Sequence, residues 1–394
     1  MKKLTKCQIC NKKLSLAFKL GKQPLCDDLI KIGSRKKNKL FDINVLFCKE
    51  CVIAYNEVLV SPKKLFPKNY HYRSNLTKDV LNGMKNLVEE IKSKYGSIKN
   101  KVVLDIGSND GSLLDIFKSK GAKTIGVEPT NASKFSSQNH QIYNEYFSKK
   151  TTIKIKKNFK NIDYITFTNV FAHIENLKDL INNLKPLVSI HTKIIIENHY
   201  LGSVIKKKQF DTFYHEHPRT YSLSSFLKIS QMLDLNLEHY SFQKRYGGNI
   251  RVIFGNEVKK LNYKKVINDE FFFFKRLLTL KKFITKWKLY TKKEIISLKQ
   301  KKNEIVGKAF PGRASVLINF LKLDHKHIKE IYEKPGSPKI GHYVPNTKIP
   351  IVSDLKLKNL KKETIIINFA WHIKKEIRKY LKKQGLKNKV IEIL

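Results

Sequence analysis

Apolar positions along the middle of the chain alternate between two periods. Asp79–Lys94 carries them at helical spacing, and the short run Val102–Ile106 reads as a strand. Ser112–Lys118 is helical in pattern, and Lys123–Val127 and Asp163–Phe167 are strand-like. Asn176–Leu187 is helical again, and Lys193–Glu197 is a fourth strand. Alternation at this spacing predicts βαβ units: an α/β architecture with a parallel sheet covered by helices on both faces. Further on, Asp269–Glu304 keeps helical apolar spacing over a long, lysine-studded stretch. Glu304–Phe310, Ser315–Lys322 and Ile365–Ala370 then read as strand, helix and strand of a second, smaller α/β unit. The opening 70 residues differ, with short strand-like pieces such as Asn44–Phe47 and every cysteine of the chain. The expected organisation is a metal-binding domain over 1–70, a Rossmann-like domain over 71–265, and a second Rossmann-like domain over 266–394 that opens on the long linking helix.

Bulk properties narrow the class. The 394 residues are 41% hydrophobic, which supplies a sizeable core and argues against wholesale disorder. No uninterrupted apolar run reaches the length of a membrane span. Met1–Lys6 is basic and leads into Cys7 rather than an apolar stretch, so a cytoplasmic protein without a signal peptide is expected. The run Phe271–Phe274 reads as the buried side of a helix joining two domains, with a membrane-surface anchor as the alternative. Net charge is +46, from 79 Lys and Arg against 33 Asp and Glu. Such an excess favours polyanionic partners. The lysines are dispersed, however, alongside abundant Asn and Ile, so most of the charge reads as compositional bias. It leaves room for one basic pocket that holds a diphosphate.

Cys7-Gln8-Ile9-Cys10 and Cys48-Lys49-Glu50-Cys51 are two CxxC knuckles with 37 residues between them. Each offers two thiolates, and together they complete the tetrahedral set of a structural zinc site. A closed shell of four sulfurs leaves no coordination position open for catalysis. Cys26 is left over and reads as a free thiol.

Val102–Ser112 is a strand, a tight turn and a helix start. Gly107 and Gly111 stand where parallel sheets bind ligands, at a strand's carboxyl end. A dinucleotide fingerprint needs GxGxxG, which is absent. Asp105-x-Gly107 followed by Asn109-Asp110-Gly111 instead resembles the class I methyltransferases. Glu128, 23 residues after Asp105 and at the end of the next strand, can accept both ribose hydroxyls of S-adenosylmethionine. The expected cofactor set is Asp105, Gly107, Asn109, Asp110, Gly111, Glu128 and Asn169.

Phe210–His217 concentrates proton-transfer groups: two histidines flank Glu216 and follow Tyr214. A neutral imidazole titrates near working pH and can take a proton from carbon beside a ketone. Glu216 can orient it if the segment is a loop rather than a strand. Tyr214 or His173 can stabilise an enolate oxygen.

Taken in order, these features run from the paired cysteines and Leu20–Leu25 through Tyr70–Ser74, Leu104–Gly111, Asn169–Ile174 and Phe210–His217. They continue with Tyr246–Val252, Pro311–Asn319, Ser337–Gly341, Pro350-Ile351 and Ala370–His372. The whole resembles the nucleotide-sugar C-methyltransferases of deoxysugar biosynthesis over nearly its full length. The resemblance implies zinc, S-adenosylmethionine and a nucleoside-diphosphate 4-keto-6-deoxysugar methylated at C3. It implies His217 as general base, with Tyr214, Glu216 and His173 in the same pocket and one of Tyr70 and Tyr72 as an active-site tyrosine. His215, Asn249, Arg251, Arg313 and Lys339 are candidate substrate contacts, the last three cations for the diphosphate. Asn346, where glycine is usual in the family, and Arg313, where lysine is common, leave the exact sugar open. The alternatives are methylation at another position or a zinc-containing RNA methyltransferase. A nucleic-acid partner is not expected, because neither Asn-Pro-Pro-Tyr nor a catalytic Pro-Cys occurs and no cysteine lies beyond Cys51.

Overall fold

A computed structural model describes residues 2–394 except positions 71, 77, 137 and 302 and the side chain of Leu76. His71 of the Tyr70–Ser74 motif therefore lies outside the described residues. The central sheet has seven strands in the spatial order Asn236–Gln243, Asn249–Gly255, Lys193–His199, Tyr164–Thr168, Val102–Ile106, Lys123–Val127 and Gln141–Tyr143. Five of these run parallel, in the alternation expected from the apolar runs. Asn249–Gly255 is antiparallel to Lys193–His199 and forms a hairpin with Asn236–Gln243. Strands buried on both faces explain the continuous apolar runs, with Val103, Leu104, Ile194, Ile195 and Ile196 fully covered.

A second parallel sheet of five strands orders Ile351–Ser353, Ile331–Glu333, Ile305–Lys308, Ile365–Asn368 and Val390–Glu392. The helical stretch expected over Asp269–Glu304 is two helices, Lys264–Glu270 and Phe273–Gln300. The break follows from opposite demands on neighbouring side chains. Glu270 is buried, accepting from Tyr200 Oη and from the amides of Leu223 and Ser224 at 2.8 Å each. Phe273 is fully buried, whereas Phe271 and Phe272 point outward.

The N-terminal block is a four-stranded antiparallel sheet, and one of its strands comes from far along the chain. Arg219–Thr220 pairs with Ile53–Asn56, which continues to Leu40–Cys48 and Ser15–Pro24. His342–Tyr343 likewise pairs with Ile30–Lys31. One apolar core runs from Leu4 through the central sheet to Ile393. No helix among the described residues is long and apolar enough to cross a membrane.

Candidate active site

The four paired cysteines converge. Their sulfurs all lie within 4.8 Å of one another, with Cys10 Sγ and Cys48 Sγ 3.5 Å apart. A tetrahedral zinc with bonds of about 2.3 Å needs sulfurs at roughly this separation, so the donor set fits the metal. Hydrogen bonds from Cys48 and Cys51 hold the Cys7 thiol far below its ordinary pKa, while the same bonds with Cys7 push the Cys48 and Cys51 thiols up. Cys26 is buried apart from them, its thiol pushed up by burial and by Glu216.

The zinc knuckle reaches the central domain directly. Gln8 Nε2 donates to the Glu175 carbonyl at 3.1 Å, and Gln8 Oε1 accepts from the Leu177 amide and from Arg219. Arg219, fully buried, also donates to the carbonyls of Ile174 and Glu175. Asn56, the last residue of its strand, donates through Nδ2 to the carbonyls of Tyr214 at 2.8 Å and His217 at 3.1 Å. Its amide donates to Pro218 O at 3.0 Å.

Phe213–Pro218 is a loop, so the objection that neighbours on a strand face opposite ways does not apply. The His217 amide donates to Tyr214 O at 2.9 Å, closing a turn that brings these two side chains together. Tyr214 Oη stands 3.1 Å from His217 Nε2, and His217 Nδ1 stands 3.1 Å from the Thr212 carbonyl. A carbonyl only accepts, so Nδ1 carries the proton and Nε2 presents its lone pair. Burial and the neighbouring His199 and His173 hold the imidazole pKa well below its ordinary value. The same turn sends His215 elsewhere: its Nε2 lies 3.3 Å from Phe41 O, its ring packs edge-on to Phe41, and burial lowers it to about 4.

Aromatic rings wall the loop. His173 lies between Phe66 and His217, with centroids 5.1 Å from each. Burial lowers His173 to about 4, so it is neutral at working pH. His199, at the end of its strand and absent from the sequence expectation, sits 5.0 Å from His217 and 5.9 Å from Tyr246. Tyr70 Oη donates to Glu216 Oε2 at 3.2 Å, whereas Tyr72 Oη pairs with Tyr246 Oη at 3.3 Å. Burial, reinforced by Asp27, pushes Glu216 up to about 8. Asp27 in turn faces Lys339 Nζ at 3.6 Å, and Lys339 donates to Phe310 O at 3.0 Å. Side chains from three loops far apart in the sequence, Asp27, Tyr70 and Lys339, thus act on one carboxyl.

The remaining candidate cations have internal partners. Arg313 donates to both oxygens of Asp211 at 2.8 and 2.6 Å and to Thr212 Oγ1 at 2.7 Å, beneath the Trp371 ring. Arg251 is buried against Glu197 and Glu90, and Asn249 Nδ2 bridges Asn169 Oδ1 and Glu197 Oε1.

At the expected cofactor site, Glu128 accepts the amides of Asn109 at 3.0 Å and Thr130 at 2.8 Å, one on each oxygen. Asp105 is buried at its strand's end, bonded by Thr166 Oγ1 at 2.6 Å and pushed up by burial to about 7. Asp110 caps the following helix through Ser112 and also accepts the Asn75 amide at 2.9 Å. Asn109, with φ of 51°, accepts the Ser74 amide and donates to Tyr72 O. The turn therefore anchors the segment that carries both tyrosines. Gly107, at φ of 78°, has no room for a Cβ, which would meet Val170 at 2.5 Å. Ser108 Oγ, Thr168 Oγ1 and Asn198 Nδ2 are buried at these strand ends without partners among the described residues. Unpaired polar atoms beside a lone-pair-rich carboxylate fit a ligand with hydroxyl, amino and carboxylate groups.

The sheet order, the Asp105–Glu128 pair and the histidine-lined loop together define a class I methyltransferase fold carrying a four-cysteine zinc knuckle. Comparison with known families agrees along almost the whole chain. Residues 7–66 match a zinc binding domain, 78–240 a methyltransferase domain and 244–390 a C-methyltransferase C-terminal domain. The three matched units follow one another as a zinc-binding, a methyltransferase and a C-methyltransferase C-terminal domain, and their descriptions make the chain a methyltransferase. The C-methyltransferase NovU of Streptomyces niveus is 24% identical over 253 residues, 63% of this chain and 60% of that protein. Among solved structures, the magnesium protoporphyrin IX methyltransferase of Synechocystis aligns over 45% of this chain and 84% of its own. That alignment has a TM-score of 0.37 and 14% identity. A protein from Pyrococcus horikoshii aligns over 50% of this chain and 98% of its own, with a TM-score of 0.37 and 12% identity.

Proposed function

We propose that the chain methylates a nucleoside-diphosphate 4-keto-6-deoxysugar, removing the C3 proton and alkylating the enolate. The observation that carries the reading is the Tyr214–His217 turn. One imidazole nitrogen is fixed by a backbone carbonyl, and the other presents its lone pair beside the Tyr214 hydroxyl among neighbouring imidazole rings.

His217 takes the proton at Nε2, and the Thr212 carbonyl keeps the ring in the tautomer this needs. Glu216, with its pKa pushed up to about 8, remains protonated at neutral pH and supplies an acidic hydrogen at the enolate oxygen. Tyr70 and Tyr214 stay phenols, both held well above the usual range by burial. Glu128 would receive the ribose hydroxyls of S-adenosylmethionine, and Asp105 the end nearer the sheet. Bound there, S-adenosylmethionine supplies an electrophilic methyl group. Orientation of the two reactants contributes much of the rate. NovU, a C-methyltransferase by name, supports carbon as the acceptor.

The test is solvent deuterium wash-in at C3 of nucleotide-linked 4-ketosugars, without methyl donor. His217→Asn should abolish exchange while cofactor binding persists. Exchange at the parental rate would eliminate His217 as the base. Methyl transfer to another carbon would eliminate the C3 assignment.

A further inference from the structure

The helix Phe273–Gln300 packs on the body through Phe273, Leu277, Leu280, Ile284, Trp287 and Ile295. At about 100° per residue, the opposite side presents Leu278, Leu289 and Ile296 in one line, and the preceding turn adds Phe271. These four are 40%, 67%, 36% and 79% exposed. A single exposed leucine is ordinary, but a row of four extending about 37 Å along the axis is not. Lys275, Lys282, Lys286 and Lys293 flank that line along one side, all exposed. The helix has one carboxylate, Glu294, and it projects to the side of that line.

We infer that this face rests on an anionic lipid surface. The apolar row enters the boundary between headgroups and acyl chains, and the lysine stems follow it while their ammonium groups meet lipid phosphates. The net charge of +46 draws the protein toward such a surface from a distance. A second copy of the helix fits worse, because juxtaposed faces oppose lysine to lysine with no carboxylate between them. Nucleic acid answers the lysines but offers no apolar phase to Leu278, Leu289 and Ile296. The geometry divides the Phe271–Phe274 run, with Phe273 in the core and Phe271 and Phe272 outward.

The test is co-sedimentation of the full chain with vesicles of phosphatidylcholine alone and of phosphatidylcholine with phosphatidylglycerol. Binding to the anionic vesicles only, weakening as salt rises, is expected. Each lysine near the surface contributes about fivefold to partitioning. Replacing Lys275, Lys282, Lys286 and Lys293 with glutamine therefore lowers binding by two to three orders of magnitude. Phe271→Ser with Leu289→Ser should also abolish it, without altering circular dichroism or methyl transfer. Unchanged sedimentation of both variants would overturn the proposal. So would a dimer in size-exclusion chromatography that Leu289→Glu dissolves, which gives the face to a second copy. RNA binding lost with the lysines but not with the apolar changes would overturn it in favour of nucleic acid.

Discussion

Replacing Asn56 with alanine tests how far catalysis depends on a residue outside the central sheet. Asn56 is 2% exposed, and its side chain donates to the carbonyls of Tyr214 and His217. Among the described residues, the one other donor to these two carbonyls is the His217 amide, which closes the turn onto Tyr214 O. A buried carbonyl that loses its donor costs about 1–3 kcal/mol. Only the His217 carbonyl loses its donor, because Tyr214 O keeps the His217 amide, so the total is about 1–3 kcal/mol. The cost falls on the turn that sets the Tyr214–His217 contact, while Asp105 and Glu128 keep their partners. The expected result is a fall of about 10- to 100-fold in both deuterium wash-in and kcat, at about 1.4 kcal/mol per tenfold. The KM for S-adenosylmethionine should stay within about twofold, and zinc content should be unchanged. Steady-state kinetics on the zinc-replete variant measures all three. Parental rates would refute the argument that Asn56 positions the loop, and a raised cofactor KM would show damage spreading beyond it.

The titrating groups and the metal knuckle give two further predictions. The low imidazole pKa of His217 keeps it neutral well into acid, so the acid limb of kcat/KM should lie below the ordinary histidine value of about 6.5. The alkaline limb should fall near pH 8 as Glu216 ionises, and Glu216→Gln should remove that limb. Folding is linked to the same group. A carboxyl whose pKa is raised on folding stabilises the protein fully below its unfolded value, and that contribution is lost as pH rises toward about 8, which denaturant midpoints across the range should follow. Cys51→Ser should release the metal, expose residues 7–66 to protease and lower activity with it, because Arg219–Thr220 belongs to their sheet.

What could be read from the sequence follows from where the physics is local. The parallel strands stood out because burial on both faces makes them uniformly apolar. The hairpin Asn236–Gln243 and Asn249–Gly255 did not, because it buries Glu238 and Arg251, whose partners Lys193 and Glu197 lie on another strand. In the strand Ser15–Pro24, irregularities at Leu16/Phe18 and Lys19/Gly21 break the period of two. The histidine cluster was visible as composition, but only the turn at Tyr214 separates the environment of His217 from that of His215. His199 carried a positional signal, since it closes a parallel strand at the carboxyl end. Asp27 carried none. Its relation to Lys339 spans most of the chain and exists only once the domains have met. Arg313 looked like an anion contact until Asp211, about a hundred residues earlier, proved to be its partner.

Strand exchange between distant segments limits how this molecule can move. Tyr55 is bonded in register to Arg219, and Lys31 to His342, so neither end of the chain can swing aside as a rigid flap without tearing a ladder. Entry of the proposed substrate must then rely on local rearrangement, and Tyr72, Ser74 and Asn75 are themselves tethered by Asn109 and Asp110. The same stitching implies that excised fragments will not regain the site by simple mixing, because each needs an edge that another provides.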